Sequence, residues 1–167
     1  MLSAASTTCL RGESPHAWGY NALSVPPESE TRFRVRYAET DQMGVVYYAN
    51  YLVWMEAGRV DLCKAMGFNY RDMELDDGIY LAVAEATCRY RYPARFDDEV
   101  VVRTWVAEAN TRMAVIAYEI NLVGGPSEPA RTLATGQTRH VFVSRDFRRV
   151  RLPLKYRALF GIPETGR

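Results

Sequence analysis

The sequence predicts an α+β domain in which a curved antiparallel sheet wraps one long central helix. Residues 50–66 form the only long helical stretch before the C-terminus, and four strand-length runs follow it. That helix carries Leu52, Val53, Trp54, Met55, Ala57, Val60, Leu62, Cys63, Ala65 and Met66, so it is apolar over most of its circumference. A helix of this kind has to be covered on several sides. With only strands available to cover it, the sheet must curl around it.

The elements follow in order. Residues 1–31 read as a disordered extension, closed by Pro26-Pro27 and the polar run Glu28 to Thr31. The folded domain is expected over 32–153, with 154–167 as a tail that has room for a short helix. Phe33, Val35 and Tyr37 alternate with Arg34 and Arg36, the period of a half-buried strand. A loop follows from Ala38 to Gly44, rich in turn formers. Asn50 is placed to cap the helix and Gly67 to end it. Gly58 lies inside it, where glycine costs about 1 kcal/mol relative to alanine, so a close approach of the helix backbone to something is expected there.

Of the four later runs, residues 79–92 change phase. Ile79, Leu81 and Val83 share one face, then Ala86, Cys88, Tyr90 and Tyr92 share it after a shift, which predicts a bulge near Ala84-Glu85. Residues 100–109 and 113–123 are joined by Asn110-Thr111-Arg112, a hairpin-length link. Gly124-Gly125-Pro126 then turns the chain into a last strand over 131–144.

Composition narrows the function. At 167 residues the chain holds a core of its own, and 48% hydrophobic with 25% charged residues is ordinary for a globular protein. A net charge of +1 provides no global field for nucleic acid or an anionic membrane. Cys9, Cys63 and Cys88 are odd in number and widely spaced, and His16 and His140 are far apart. Neither a disulfide framework nor a zinc site is expected, and reduced thiols in a cytoplasmic protein is the simplest reading. No apolar run approaches the ~20 residues that cross a bilayer, and the first ten residues make a poor targeting signal.

The segment Tyr37 to Tyr51, YAETDQMGVVYYANY, closely resembles the signature of the 4-hydroxybenzoyl-CoA thioesterase-like family of the hotdog fold. Glu56-Ala57-Gly58-Arg59, Met66-Gly67-Phe68, the run from Tyr92 to Asp98 and Arg151-Leu152-Pro153 look like further landmarks of that family. The resemblance spans roughly Phe33 to Pro153. It implies an acyl-CoA thioesterase that forms a dimer or dimer of dimers, with active sites at the subunit boundary. It implies neither metal nor dissociable cofactor.

Thioester hydrolysis needs an oxygen nucleophile at the carbonyl carbon and donors at its oxygen. Asp41 sits at the family's carboxylate position, as nucleophile or general base. The donor is expected to be the backbone amide of Tyr48, because the first amides of a helix lack partners within it. Many bacterial members carry His where this chain has Tyr48, so the imidazole of a carboxylate–histidine mechanism is missing. Glu56 is the reserve catalytic carboxylate; its structural alternative is an ion pair with Arg59. Gly44, Val45, Tyr47, Tyr51 and Arg95 are candidate substrate contacts. Trp54 joins the aromatic candidates, although such residues beside a core helix are usually core. For the coenzyme's phosphates, Arg145, Arg148, Arg149 and Arg151 compete with Arg89, Arg91 and Arg95.

Three other functions fit the same chain. These are an acyl-carrier-protein thioesterase, a hotdog hydratase or dehydratase, and a non-catalytic acyl-CoA binding module. A hydratase commonly needs a well-placed histidine, and neither His16 nor His140 lies near Asp41 in sequence.

Overall fold

Strand pairing begins earlier than the hydrophobic pattern suggests. In the computed structural model, which describes residues 27–124 and 129–163, the first strand β1 spans Glu28–Arg34. Glu28, Glu30, Arg32 and Arg34 point outward, and Ser29, Thr31 and Phe33 point inward. Two of those inward residues are polar, which hid the strand. Thr31 Oγ1 donates to the Asp61 carboxylate at 2.8 Å, so the inward side is used for bonding to the helix. Residues 28–31 therefore belong to the sheet, not to the extension; residues 1–26 lie outside the described residues.

The strand also stops earlier than expected. Val35 is buried, and its backbone pairs with Asp97 and Asp98. Tyr37 is 76% exposed and opens a 3-10 turn, Tyr37–Glu39. The cause is Glu39, whose carboxylate accepts from the Arg36 amide at 2.7 Å and from its guanidinium at 3.1 Å, folding the chain back.

Five strands make one antiparallel sheet. Helix α1, Asn50–Ala65, precedes a short helix α2, Tyr70–Asp76, and strands β2, Ile79–Tyr90, β3, Glu99–Ala109, β4, Met113–Leu122, and β5, Arg131–Ser144. The order across the sheet is β1-β3-β4-β5-β2, so β1 and β2 are its free edges. The register of β2 against β5 shifts between Val83 and Glu85, where the phase change placed a bulge. Part of the Gly124-Gly125-Pro126 turn lies outside the described residues.

Helix α1 packs across the inner face, against β1 and β3 and also against β2 and β4. Met55 and Leu62 are fully buried there among Val102, Ile116, Ile120 and Phe142. A side chain at Gly58 would meet Thr104 Oγ1 at 2.5 Å, which is the close approach its position in the helix predicted. Coverage is less complete than expected: Leu52 and Val53 remain 40% and 52% exposed.

The C-terminal end of α1 closes fully. Phe68 N–H bonds to Cys63 O and Gly67 N–H to Lys64 O, the pairing of a Schellman turn, with Gly67 at φ 89°. Helix α2 was not anticipated. Asn69 caps it by accepting from Arg71 N–H at 3.1 Å, and Met73 anchors it in the core. In the tail, helix α3, Leu154–Arg157, is followed by buried Phe160 and Ile162, so this segment is packed on the domain.

Candidate functional site

The sequence reading has Asn50 capping α1, but the structure employs its side chain elsewhere. The residue at the cap is Ala49, and no side chain bonds to the first turn. Asn50 Nδ2 instead donates to Glu39 O at 2.8 Å, tying the loop to the helix. The backbone amides of Tyr48 and Ala49 have no hydrogen-bond partner among the described residues, and they stand at the positive end of a helix dipole.

Glu39 organises this junction and was not singled out by sequence. It is 6% exposed, and its carboxylate binds Arg36 and the Trp54 indole N–H, the latter at 3.0 Å. Its carbonyl also accepts from Tyr47 N–H at 2.9 Å. Burial alone would raise its carboxyl, but the bonds from Arg36 and Trp54 outweigh it and hold the group below the usual carboxylate range. No hydrophobic period marks such a residue, because its partners are set by the turn.

Asp41 lies half-buried in the loop that Glu39 supports. One of its oxygens, Oδ1, accepts from Met43 N–H at 2.8 Å; Oδ2 has no hydrogen-bond partner among the described residues. Asp41 N–H bonds to Val45 O, and Gly44 turns the loop at φ 71°. A groove of about 300 Å³ opens beside it, walled by Asp41, Met43, Val45, Tyr48, Tyr51, Tyr90 and Arg91 among others. The carboxylate thus faces an open groove and not a sealed interior.

The other candidates divide. Val45 and Tyr51 line the groove, and the Tyr51 hydroxyl accepts from Ala94 N–H at 3.0 Å. Gly44, Tyr47 and Arg95 are exposed and are not part of its wall. The Tyr47 ring packs on Tyr48 at 4.5 Å, and a hydrogen bond between the two side chains, then their charge interaction, keeps the Tyr47 phenol above its ordinary value. Trp54 is buried and structural.

Glu56 is exposed on α1 and is not part of the groove wall. Its expected ion pair with Arg59 does not form, because Arg59 turns inward and is 8% exposed. There the guanidinium meets Tyr118, whose hydroxyl bonds to Thr138, which bonds in turn to His140 Nε2, each at 2.7 Å. His140 is fully buried; burial and then Arg59 push it down to about 4, so it is neutral at physiological pH.

The arginines also separate. Ser144 pairs with Ile79 at one end of β2, and Ala134 with Tyr90 at the other. At about 3.3 Å per residue, the Arg145–Arg151 cluster is on the order of 30 Å from the groove within one chain. Arg112, Arg149 and Arg151 line a separate groove there. Of the phosphate candidates only Arg91 lines the Asp41 groove.

Comparison with known proteins meets this geometry. The Thioesterase superfamily matches residues 43–126, just over half of the chain. The chain belongs to that superfamily. YneP of Bacillus subtilis, provisionally named an acyl-CoA thioesterase, is 47% identical over 92 residues, 55% of this chain and 66% of YneP. The match thus covers just under two thirds of that relative. A solved DHNA-CoA thioesterase from Staphylococcus aureus is 32% identical with TM-score 0.73, covering 80% of this chain and 89% of that one. The 4-hydroxybenzoyl CoA thioesterase of Pseudomonas sp. strain CBS-3 shares 19% identity at TM-score 0.73, over 80% of this chain and 99% of that one, a likeness of fold alone. The fold is the hotdog fold that the signature implied. Asp41 lies two positions before the matched span, so the superfamily match does not include it.

Proposed function

We propose that this protein hydrolyses acyl-coenzyme A thioesters to the free acid and coenzyme A, with Asp41 as nucleophile or general base. One observation carries the reading. A single open groove is lined by both Asp41, whose carboxylate has a free oxygen, and Tyr48, whose amide, like that of Ala49 next to it, has no partner among the described residues just ahead of α1. The carbonyl oxygen of the thioester accepts from Tyr48 N–H, which stabilises the negative charge that develops there. Asp41 either attacks the carbon itself or takes a proton from an attacking water. In both cases a carbon–oxygen bond forms, the carbon–sulfur bond breaks, and the coenzyme leaves as its thiol. By the direct route, water then cleaves the intermediate anhydride.

The groove lies by the free edge of the sheet. Tyr90 ends edge strand β2, whose residues from Val83 onward are largely exposed. A second copy pairing at that edge gives the homo-oligomer that this reading requires, as a dimer or dimer of dimers, and sedimentation measures it. Of the two histidines that a hydratase could use, the described residues include only His140. His140 is sealed in the core away from the groove, and His16 lies outside the described residues.

The test is thiol release from a panel of aromatic and aliphatic acyl-CoA substrates, with matched carrier-protein thioesters beside them. Wild type releases thiol from the coenzyme A series and Asp41→Asn does not. Equal rates for the two proteins remove Asp41 from the mechanism, and faster turnover of the carrier-protein series moves the substrate class.

A further inference from the structure

Tyr90 has no role in the reading above, yet it makes the shorter bond to the turn that starts α1. Its hydroxyl donates to Tyr48 O at 3.0 Å. The helix's own claim on that carbonyl is weak: Tyr51 N–H reaches it only at 3.4 Å, well beyond the usual 2.9–3.0 Å. The side chain from β2 therefore holds a peptide that the helix backbone barely grips.

That peptide matters because it is planar and trans. Its carbonyl belongs to Tyr48 and its N–H to Ala49, and the two point in opposite directions. Fixing Tyr48 O towards Tyr90 fixes the direction of Ala49 N–H. A hydrogen bond accepted at the carbonyl also polarises the N–H at the other end of the group. Ala49 N–H is one of the two unpartnered amides, next to Tyr48 N–H.

We propose that Tyr90 is a positioning residue, whose hydroxyl holds the Tyr48–Ala49 peptide so that both amides are presented together to the thioester oxygen. The inference rests on the hydrolase reading, and it adds a second donor and the group that aims it.

Tyr90 is itself well supported. Its ring stands edge-on to Tyr51, centroids 5.1 Å apart at 84°, and its backbone pairs with Ala134. Burial, then the neighbouring Cys88, pushes its phenol up to about 12, so the hydroxyl keeps its proton at any working pH.

The experiment compares wild type, Tyr90→Phe and Asp41→Asn. Phenylalanine keeps the ring against Tyr51 and removes only the hydroxyl. Loss of one oxyanion donor costs about 10²–10³ in turnover, and loosening one costs less. Tyr90→Phe is expected to lower kcat about tenfold with KM and melting temperature unchanged. An S-alkyl coenzyme A thioether, which has no carbonyl, binds both proteins equally.

A kcat within twofold of wild type overturns the proposal. So does a raised KM with weakened thioether binding and an unchanged kcat, which makes Tyr90 a ground-state binding contact and nothing more. Full turnover by Asp41→Asn beside a slow Tyr90→Phe sinks the Asp41 reading and leaves Tyr90 standing. If no substrate turns over, the Tyr48 carbonyl carbon and Ala49 amide resonances decide: unchanged shifts in Tyr90→Phe overturn the proposal, and changed shifts at both support it.

Discussion

Two places among the described residues gather polar groups that lack partners there, and they differ in access. Ahead of α1, Asp41 Oδ2 and the amides of Tyr48 and Ala49 have bonding capacity left over, and Asp41 and Tyr48 line an open groove. Under the middle of α1, Arg59 Nε and His140 Nδ1 are also without partners among the described residues, but they are buried in the core. Histidine is by type the better proton carrier at neutral pH, and here it is the group that substrate cannot reach. The difference shows that position, and not residue type, decides which polar group can do chemistry. The buried cluster instead affects stability, because Arg59 has no ion-pair partner among the described residues.

The largest test of that contrast is Asp41→Asn. Kinetics on the best acyl-CoA substrate should show kcat lower by about 10³, equivalent to about 4 kcal/mol of barrier. Thermal unfolding should be nearly unchanged, because Asn keeps the oxygen that accepts from Met43. A comparable loss of melting temperature would make Asp41 a structural residue.

The sealed cluster predicts a pH effect on stability. His140 titrates at about 4 in the fold and near 6.5 when unfolded. Between those values the unfolded chain binds a proton that the fold refuses, so stability falls as pH drops through this window. The loss amounts to about 3 kcal/mol and is complete below pH 4. Denaturant titrations from pH 7 to 4 should show this slope, reduced in His140→Gln. An identical slope in the variant would place the proton elsewhere.

The seating of α1 comes next. Gly58→Ala puts a methyl group against Thr104 Oγ1, at 2.5 Å before relaxation. The overpacking costs about 2 kcal/mol, more than the ~1 kcal/mol gained in helix propensity. Urea unfolding should show a lower midpoint; a stabilised variant would mean that Thr104 rotates away freely.

Arg59→Met gives the smallest change. It removes a buried cation without an acid partner and keeps most of the side-chain volume, so unfolding free energy should stay within about 1 kcal/mol of wild type. It should also raise the His140 titration, because Arg59 is one cause of its depression. Histidine NMR measures this directly.

Much of the architecture is legible in the residues. A helix apolar on most sides, the bulge at Val83–Glu85 and the hairpin at Asn110-Thr111-Arg112 all come from periodicity, which is a local property. Gly67 at the helix end and Gly58 at a close approach are legible for the same reason, since glycine marks backbone requirements. Helix α2 is not legible because a capped helix of 7 residues with a single buried residue has too little period to detect. The start of strand β1 is not legible because its inward Ser29 and Thr31 are not apolar.

The candidate site was legible only in part. The YAETDQMGVVYYANY segment marks Asp41 and the helix start in sequence, since both belong to one continuous stretch. Tertiary structure alone decided the rest. Glu39 is tied to Arg36 and Trp54, Tyr90 crosses from β2 to Tyr48, and Asn50 leaves its capping place for Glu39. Arg59 abandons Glu56 for the core, and the Arg145–Arg151 cluster falls at the wrong end of β2 to serve this chain's own groove. The physical reason is common to all of these. Periodicity and turn chemistry act between near neighbours and so are written along the chain. A hydrogen bond between residues 42 positions apart, such as Tyr90 to Tyr48, exists only once packing has brought its two ends together.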